Sequence, residues 1–162
     1  MYKGVRIMQI IKKDILTVAS GIICQQVNCK GVMGAGLAAK LRKKWPVVYE
    51  VYRKQYENKQ LKLGSISLAG VYSDLIVCNM AAQDGYGRDG KRYTDYTAFA
   101  VCLSALSNFI TSYSNMLPAT ASTSKIPVYF PYKIGCGLGG GDWDIMLNLI
   151  VNNFPEAIIM QV

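Results

Sequence analysis

Two glycine-rich stretches hold the residues best suited to chemistry: Asn28-Cys29-Lys30-Gly31-Val32-Met33-Gly34-Ala35-Gly36 and Gly135-Cys136-Gly137-Leu138-Gly139-Gly140-Gly141-Asp142. Each follows an apolar run that reads as a strand and precedes an amphipathic run that reads as a helix. A glycine loop in that position lets the backbone approach a ligand and aims unpaired N–H groups at it, which suits a phosphate or diphosphate. Two such loops in one small domain predict a single nucleotide held from both sides.

The inventory for acid–base work is short. The chain has no histidine, so Ser-His-Asp and Cys-His catalysis and His-ligated metals are excluded. Proton transfer falls to Asp, Glu, Lys, Tyr or a ligand group. The cysteines Cys24, Cys29, Cys78, Cys102 and Cys136 are odd in number and scattered, which predicts reduced, partly buried thiols and no four-ligand zinc set. Neither glycine loop continues into the Lys-Ser or Lys-Thr of a Walker A motif, and the first lacks dinucleotide-fingerprint spacing. On these rules alone the chain is a phosphate or nucleotide binder.

The elements that must position these loops follow from periodicity. Arg6–Lys12 and Gly21–Val27 read as strands, the second ending at the first loop. Gly36–Lys44 reads as a helix with Leu37 and Leu41 one turn apart, and Pro46 starts another whose apolar face is Val48, Val51 and Tyr52. Ser65–Tyr72 and Leu75–Met80 read as two strands around Ser73-Asp74, and Asp84–Asp95 as a polar surface loop. Phe99, Leu103, Leu106 and Ile110 mark a helix, and Ser112–Lys125, rich in Ser, Thr and Ala with Pro118, is expected to be a mobile connection. Ile126–Phe130 is a strand entering the second loop. A helix capped by Asp142 carries Trp143, Met146, Leu147 and Ile150, and Ala157–Gln161 closes the chain as a strand. Strands alternating with helices predict a layered α/β fold with helices on both faces of a mainly parallel sheet. Its ligand site should lie beyond the strands' carboxyl ends.

At 162 residues, 51% apolar and 17% charged, the chain fits a single domain over residues 1–162 with a real core. No apolar run reaches the roughly 18 residues of a membrane span, and the N-terminus lacks an apolar stretch of about 7–15 residues typical of a signal peptide. A cytoplasmic protein without a membrane partner is expected. The net charge is +8, much of it in Lys40, Arg42, Lys43, Lys44, Arg53, Lys54, Lys59 and Lys62. That block reads either as a solvated helical face or as a field for a polyanion, a nucleotide or a nucleic acid. Trp45, Tyr49, Tyr52 and Tyr56, interleaved with it, fit helix packing as well as base stacking.

Four stretches, in this order, carry a resemblance to a known family: Lys13-Asp14-Ile15-Leu16, Gln25 to Ala38, Arg92-Tyr93-Thr94-Asp95-Tyr96, and Tyr132-Lys133-Ile134-Gly135-Cys136-Gly137-Leu138. Together they resemble the macrodomains, ADP-ribose-binding modules, and look most like the branch of ADP-ribose 1″-phosphate phosphatases and terminal ADP-ribose protein glycohydrolases, of phage and bacterial type. The resemblance implies a three-layer α/β/α fold with a mixed, mainly parallel central sheet, no cofactor and no metal, and a monomer. Asp14 then matches the acid that accepts from the adenine amino group, with Ile15 beside it; its other reading is a cap. Asn28 matches the asparagine at the distal ribose, an amide that both donates and accepts, or serves as a strand-end turn residue. Gln26, Val32, Met33, Gly34, Ala35 and Gly36 match the first ligand loop, and Ile134, Gly135, Cys136, Gly137, Leu138 and Gly139 the second phosphate loop.

The glycohydrolase branch uses a lysine before a Thr-Tyr pair and an aspartate directly after the Gly-Cys-Gly-Leu run. Those positions fall here on Tyr93 and Gly139, with Lys91 and Asp142 the nearest equivalents. Asn28, Asp142 and Lys91 are thus the catalytic candidates, Asp142 as a base or as a helix cap, and Cys136 fits packing better than nucleophilic attack. The implied ligand is ADP-ribose or a derivative. The leading expectation is hydrolysis at the distal ribose 1″ position, with ADP-ribose 1″-phosphate the first substrate. The alternatives are an ADP-ribosyl hydrolase acting on modified protein or nucleic acid, a non-catalytic ADP-ribose binder, and a nucleic-acid-binding protein.

Overall fold

The computed structural model describes residues 7–116 and 125–162. Its centre is one six-stranded sheet in the order β1-β6-β5-β2-β4-β3. The strands are β1 (Gln9–Ile11), β2 (Gly21–Val27), β3 (Ile66–Tyr72), β4 (Leu75–Ala81), β5 (Val128–Pro131) and β6 (Ile158–Met160), and only the β3–β4 pair is antiparallel. Helices α1 (Gly36–Lys44) and α2 (Val47–Glu57) cover one face, and α3 (Tyr96–Met116) and α4 (Trp143–Asn153) the other.

The two faces follow from strand alternation, which sends successive side chains to opposite sides. Along β2, Ile22 and Cys24 enter the core under α3 and α4 with Phe99, Leu103, Phe130, Met146 and Ile150. Ile23 and Val27 enter the other core, where α1 supplies Leu41 and α2 supplies Val48 and Tyr52. Being covered on both faces, β2 and β4 are almost continuously buried, as parallel strands in layered folds are. The sheet is therefore mixed and mainly parallel between two helical layers, as read from the sequence.

The main departure lies at the end of α3. The segment from Ser112 was expected to be a connection, yet the helix continues through Met116. Phe109 stacks on Tyr113 one turn on, with ring centroids 5.9 Å apart, and Thr111 Oγ1 donates back to the Ser107 carbonyl. Polar composition alone did not reveal that i,i+4 aromatic pair. The rest of the expected connection, 117–124 with Pro118, lies outside the described residues, as do residues 1–6, the last of which begins the first predicted strand. Among the described residues, no helix is long and apolar enough to cross a membrane.

Candidate nucleotide cleft

Both glycine loops leave the carboxyl ends of neighbouring parallel strands, β2 and β5, and so open on the same edge of the sheet. Between them lies a cleft of about 690 Å³. Its floor includes Gln25, Gln26 and Asn28 at the end of β2. Val32 to Ala38 form one wall, and Pro131 to Gly135 with Gly137 to Gly139 the other. A third wall comes from the β4–α3 segment through Gln83, Tyr86, Gly87 and Arg88.

The first loop is held from beneath. Asn28 Nδ2 donates to the Val32 carbonyl at 2.8 Å, while Asn28 Oδ1 accepts from Lys30 N at 2.9 Å and faces the Tyr52 hydroxyl at 2.8 Å. Gly31, at φ +75°, lies so close to α2 that a Cβ there would fall 2.7 Å from the Tyr56 ring and 2.9 Å from the Arg53 guanidinium. The chain then enters α1 at Ala35, whose side chain provides no cap. Gly36, Leu37 and Ala38 line the cleft, and among the described residues the N–H groups of this first turn of α1, at the positive end of the helix dipole, make no backbone hydrogen bond. α1 carries no acid in its first turn and has Arg42, Lys43 and Lys44 in its last.

The second loop presents a matching array. Ile134, Cys136, Gly140 and Gly141 spend their N–H groups on carbonyls within 131–137, and Asp142 N donates to the Tyr96 hydroxyl. Among the described residues, the N–H groups of Gly137, Leu138 and Gly139 make no such bond. Successive free amides of this kind form an anion-binding concavity. The charge of the lining agrees: it contains two cations, Arg88 and Lys133, and no Asp or Glu.

Of the expected ligand residues, Gln26, Asn28, Val32, Met33, Gly34, Ala35, Gly36, Ile134, Gly135, Gly137, Leu138 and Gly139 come together around this cleft. Asp14, Ile15, Cys136, Lys91 and Asp142 are not among its lining. Asp14 Oδ1 accepts from Leu16 N at 2.9 Å and caps the short turn at Ile15–Thr17, while Ile15 is core. Lys91 is exposed and 3.8 Å from Asp89. Asp142 Oδ1 accepts from Ile145 N at 3.1 Å, capping α4. Burial above all, and then the nearby Asp142 charge, hold the Cys136 thiol above its ordinary pKa, which disfavours the thiolate a nucleophile needs. Among the described residues, no group of three or more His, Cys, Asp or Glu side chains could hold a metal ion.

Sequence reading missed the third wall. Tyr86 and Arg88 sit in a segment with no periodicity, although it leaves β4, a parallel neighbour of β2, at the ligand edge of the sheet. That topological position was the available signal. The segment is tethered to the first loop by Cys29 N donating to the Asp84 carbonyl at 2.9 Å and by the Lys30–Asp84 ion pair at 3.1 Å.

No family model matches the chain. It is 31% identical over 150 residues, 89% of its length and 88% of the relative's, to an uncharacterised 17.5 kDa protein from the tk-vs intergenic region of Enterobacteria phage T4. Among solved structures, a protein of unknown function from Bacteroides thetaiotaomicron superposes with a TM-score of 0.80 at 28% identity, covering 96% of this chain and 98% of that one. The macrodomain of Mycobacterium tuberculosis DarG matches with a TM-score of 0.76 at 20% identity over 96% and 97% of the two chains. Thermosipho africanus DarTG, solved in complex with ADP-ribose, matches with a TM-score of 0.72 at 18% identity, covering 96% of this chain and 41% of that one.

Proposed function

The chain belongs to the family of the phage T4 17.5 kDa protein and is a macrodomain by fold, and we propose that its cleft binds ADP-ribose or a derivative and releases a group from the distal ribose 1″ position. The observation that carries this reading is the pairing of two free-amide arrays, at the start of α1 and at Gly137–Gly139, across a cleft with two cations and no carboxylate. A diphosphate satisfies both arrays at once. DarTG, part of which shares this fold, is in complex with ADP-ribose, which supports that choice.

The lining also bears on the leaving group. A cleft without carboxylates favours a substrate with further negative charge, and ADP-ribose 1″-phosphate supplies it. Hydrolysis of a phosphate monoester runs through a loose transition state, in which positioning and charge stabilisation matter more than a strong base. Water adds at phosphorus, the bond to the 1″ oxygen breaks, and the proton ends on that oxygen, giving ADP-ribose and inorganic phosphate. In this scheme Asn28 orients the distal ribose, Arg88 and the two amide arrays hold the diphosphate, and Asp14, outside the cleft lining, selects adenine where the base extends past that lining to the Ile15–Thr17 turn. Asp142 and Lys91 flank the site and assist only if they reorient on binding.

A second reading rests on one observation. The α1–α2 face carries Arg42 over the Tyr49 ring at 3.6 Å and Arg53 over Tyr56 at 4.9 Å amid further lysines, a surface suited to a nucleic acid bearing ADP-ribose. Calorimetry with ADP-ribose, run beside phosphate release from ADP-ribose 1″-phosphate, separates the cases. Binding with release supports the first reading. Binding without release, together with ADP-ribose freed from modified nucleic acid, supports the second. Absence of binding overturns both.

A further inference from the structure

Thr94 is 2% exposed, polar, and in contact with the second loop at several points. Its Oγ1 donates to the Gly135 carbonyl at 2.7 Å and accepts from Gln26 Nε2 at 2.8 Å. Its main-chain N–H and that of Tyr93 both donate to the Gly139 carbonyl, at 2.9 and 2.8 Å. The Gly135 carbonyl takes a second bond from Gly141 N at 2.8 Å. The carbonyls at the two ends of Gly135–Gly139 are therefore turned onto the Tyr93–Thr94 segment or the loop itself. Between them lie the three N–H groups that stay free. The fit is close: a Cβ on Gly139 would come within 2.6 Å of Thr94 Oγ1, and one on Gly141 within 3.3 Å of the Thr94 side chain.

The same hydroxyl connects to the third wall. Gln26 Nε2 is shared between Thr94 Oγ1 and Gln83 Oε1, both at 2.8 Å, and Gln83 Nε2 donates to the Gly85 carbonyl at 2.9 Å, next to Tyr86. Thr94 and Gln83 also form an isolated antiparallel bridge.

We infer that Thr94 is a positioning residue that holds the second glycine loop open to an anion and sets it in register with the segment bearing Tyr86 and Arg88. Thr94 lies outside the cleft lining, so it acts through the loop. The inference rests on the ADP-ribose reading for its ligand but not for its geometry.

Thr94→Val keeps the shape and removes the hydroxyl. The fold should survive, because Gly135 O retains Gly141 N and Gln26 Nε2 retains Gln83 Oε1. Thr94→Ser restores the hydroxyl. By calorimetry with ADP-ribose, Thr94→Val should bind about tenfold more weakly than the parent and Thr94→Ser within about threefold, the scale of one hydrogen bond that orders a loop. Hydrogen exchange at the Tyr93, Thr94 and Gly141 amides, whose bonds to the Gly139 and Gly135 carbonyls hold the loop, should quicken without ligand in Thr94→Val and return in Thr94→Ser. Parent-like binding by Thr94→Val overturns the inference. Should the parent protein itself not bind ADP-ribose, the functional reading fails and exchange alone decides: unchanged exchange in Thr94→Val overturns the positioning role, and altered exchange rescued by serine upholds it.

Discussion

The Tyr52 hydroxyl lies 2.8 Å from Asn28 Oδ1 and 2.9 Å from the Asn28 carbonyl, so a fully buried α2 side chain supports the first glycine loop from the core side. Tyr52→Phe leaves Asn28 Oδ1 with Lys30 N as a partner. It should lower unfolding free energy by about 1 kcal/mol and weaken ADP-ribose binding severalfold. Asn28→Ala removes the bonds to Val32 O, Lys30 N and Tyr52 at once and should cost about 2 kcal/mol, with a larger loss of affinity. Denaturant titration and calorimetry on the same samples test both, and undiminished binding by folded Asn28→Ala would remove Asn28 from the site.

Gly137 and Gly139 should behave oppositely. A Cβ on Gly137 meets no protein atom within 4 Å, whereas one on Gly139 falls 2.6 Å from Thr94 Oγ1 and 2.7 Å from the Gly135 carbonyl. Gly137→Ala is expected to melt within a few degrees of the parent. Gly139→Ala must displace backbone and should destabilise by about 1–3 kcal/mol, the usual cost of overpacking. Thermal unfolding of the two variants, side by side, decides whether the second loop is as tightly packed as described.

Arg88 is exposed and forms no ion pair among the described residues. Arg88→Ala should therefore leave stability within about 0.5 kcal/mol, as surface substitutions usually do. ADP-ribose affinity should fall about tenfold, the order of a charge-assisted hydrogen bond, and lose part of its salt dependence. Equal affinity in parent and variant across a salt series would place the diphosphate away from Arg88.

Asp142 combines a capping role with a candidate catalytic one, and two substitutions separate them. Asparagine caps a helix about as well as aspartate, while alanine costs about 1 kcal/mol. If only the cap matters, Asp142→Asn keeps both stability and turnover of ADP-ribose 1″-phosphate, and Asp142→Ala loses stability alone. Loss of turnover in stable Asp142→Asn would assign the carboxylate to the chemistry.

The β4–α3 segment should respond to acid. The Tyr93 hydroxyl bonds both Asp89 carboxylate oxygens at 2.8 Å and, ahead of the Lys91 amide, holds Asp89 below the ordinary carboxylate pKa. A group depressed in the folded state contributes order that is complete above its unfolded pKa and is lost as pH falls through the lower, folded value. Carboxyl NMR should place the Asp89 midpoint below the ordinary aspartate value, and Tyr93→Phe should return it upward. An unshifted midpoint in the parent protein would show that the tether is absent in solution.

Much of this architecture is legible from residue order. Gly21–Val27 and Gly36–Lys44 read directly, because a buried parallel strand and an amphipathic helix announce themselves within a few residues. The glycine loops were readable as candidate anion sites because free amides need only backbone. Thr94 was not readable: its hydroxyl meets Gly135 from 41 positions away and Gln26 from 68, contacts made only when β2, β5 and the β4–α3 segment converge. Tyr86 and Arg88 escaped for the same reason. The continuation of α3 to Met116 escaped because the stacked Phe109–Tyr113 pair lies within a run of weak helix formers.

The closure around Gly139 has an evolutionary consequence. A side chain at that position is blocked both by Thr94 and by the loop's own Gly135 carbonyl. A single codon change introducing an acid there would meet both obstacles at once. Shrinking Thr94 first would loosen the loop with nothing gained. A carboxylate at position 139 therefore requires the Thr94 side chain and the Gly135 carbonyl to move together. The side chain allowed at Gly139 is thus set by steric coupling to a residue 45 positions earlier in sequence, Thr94.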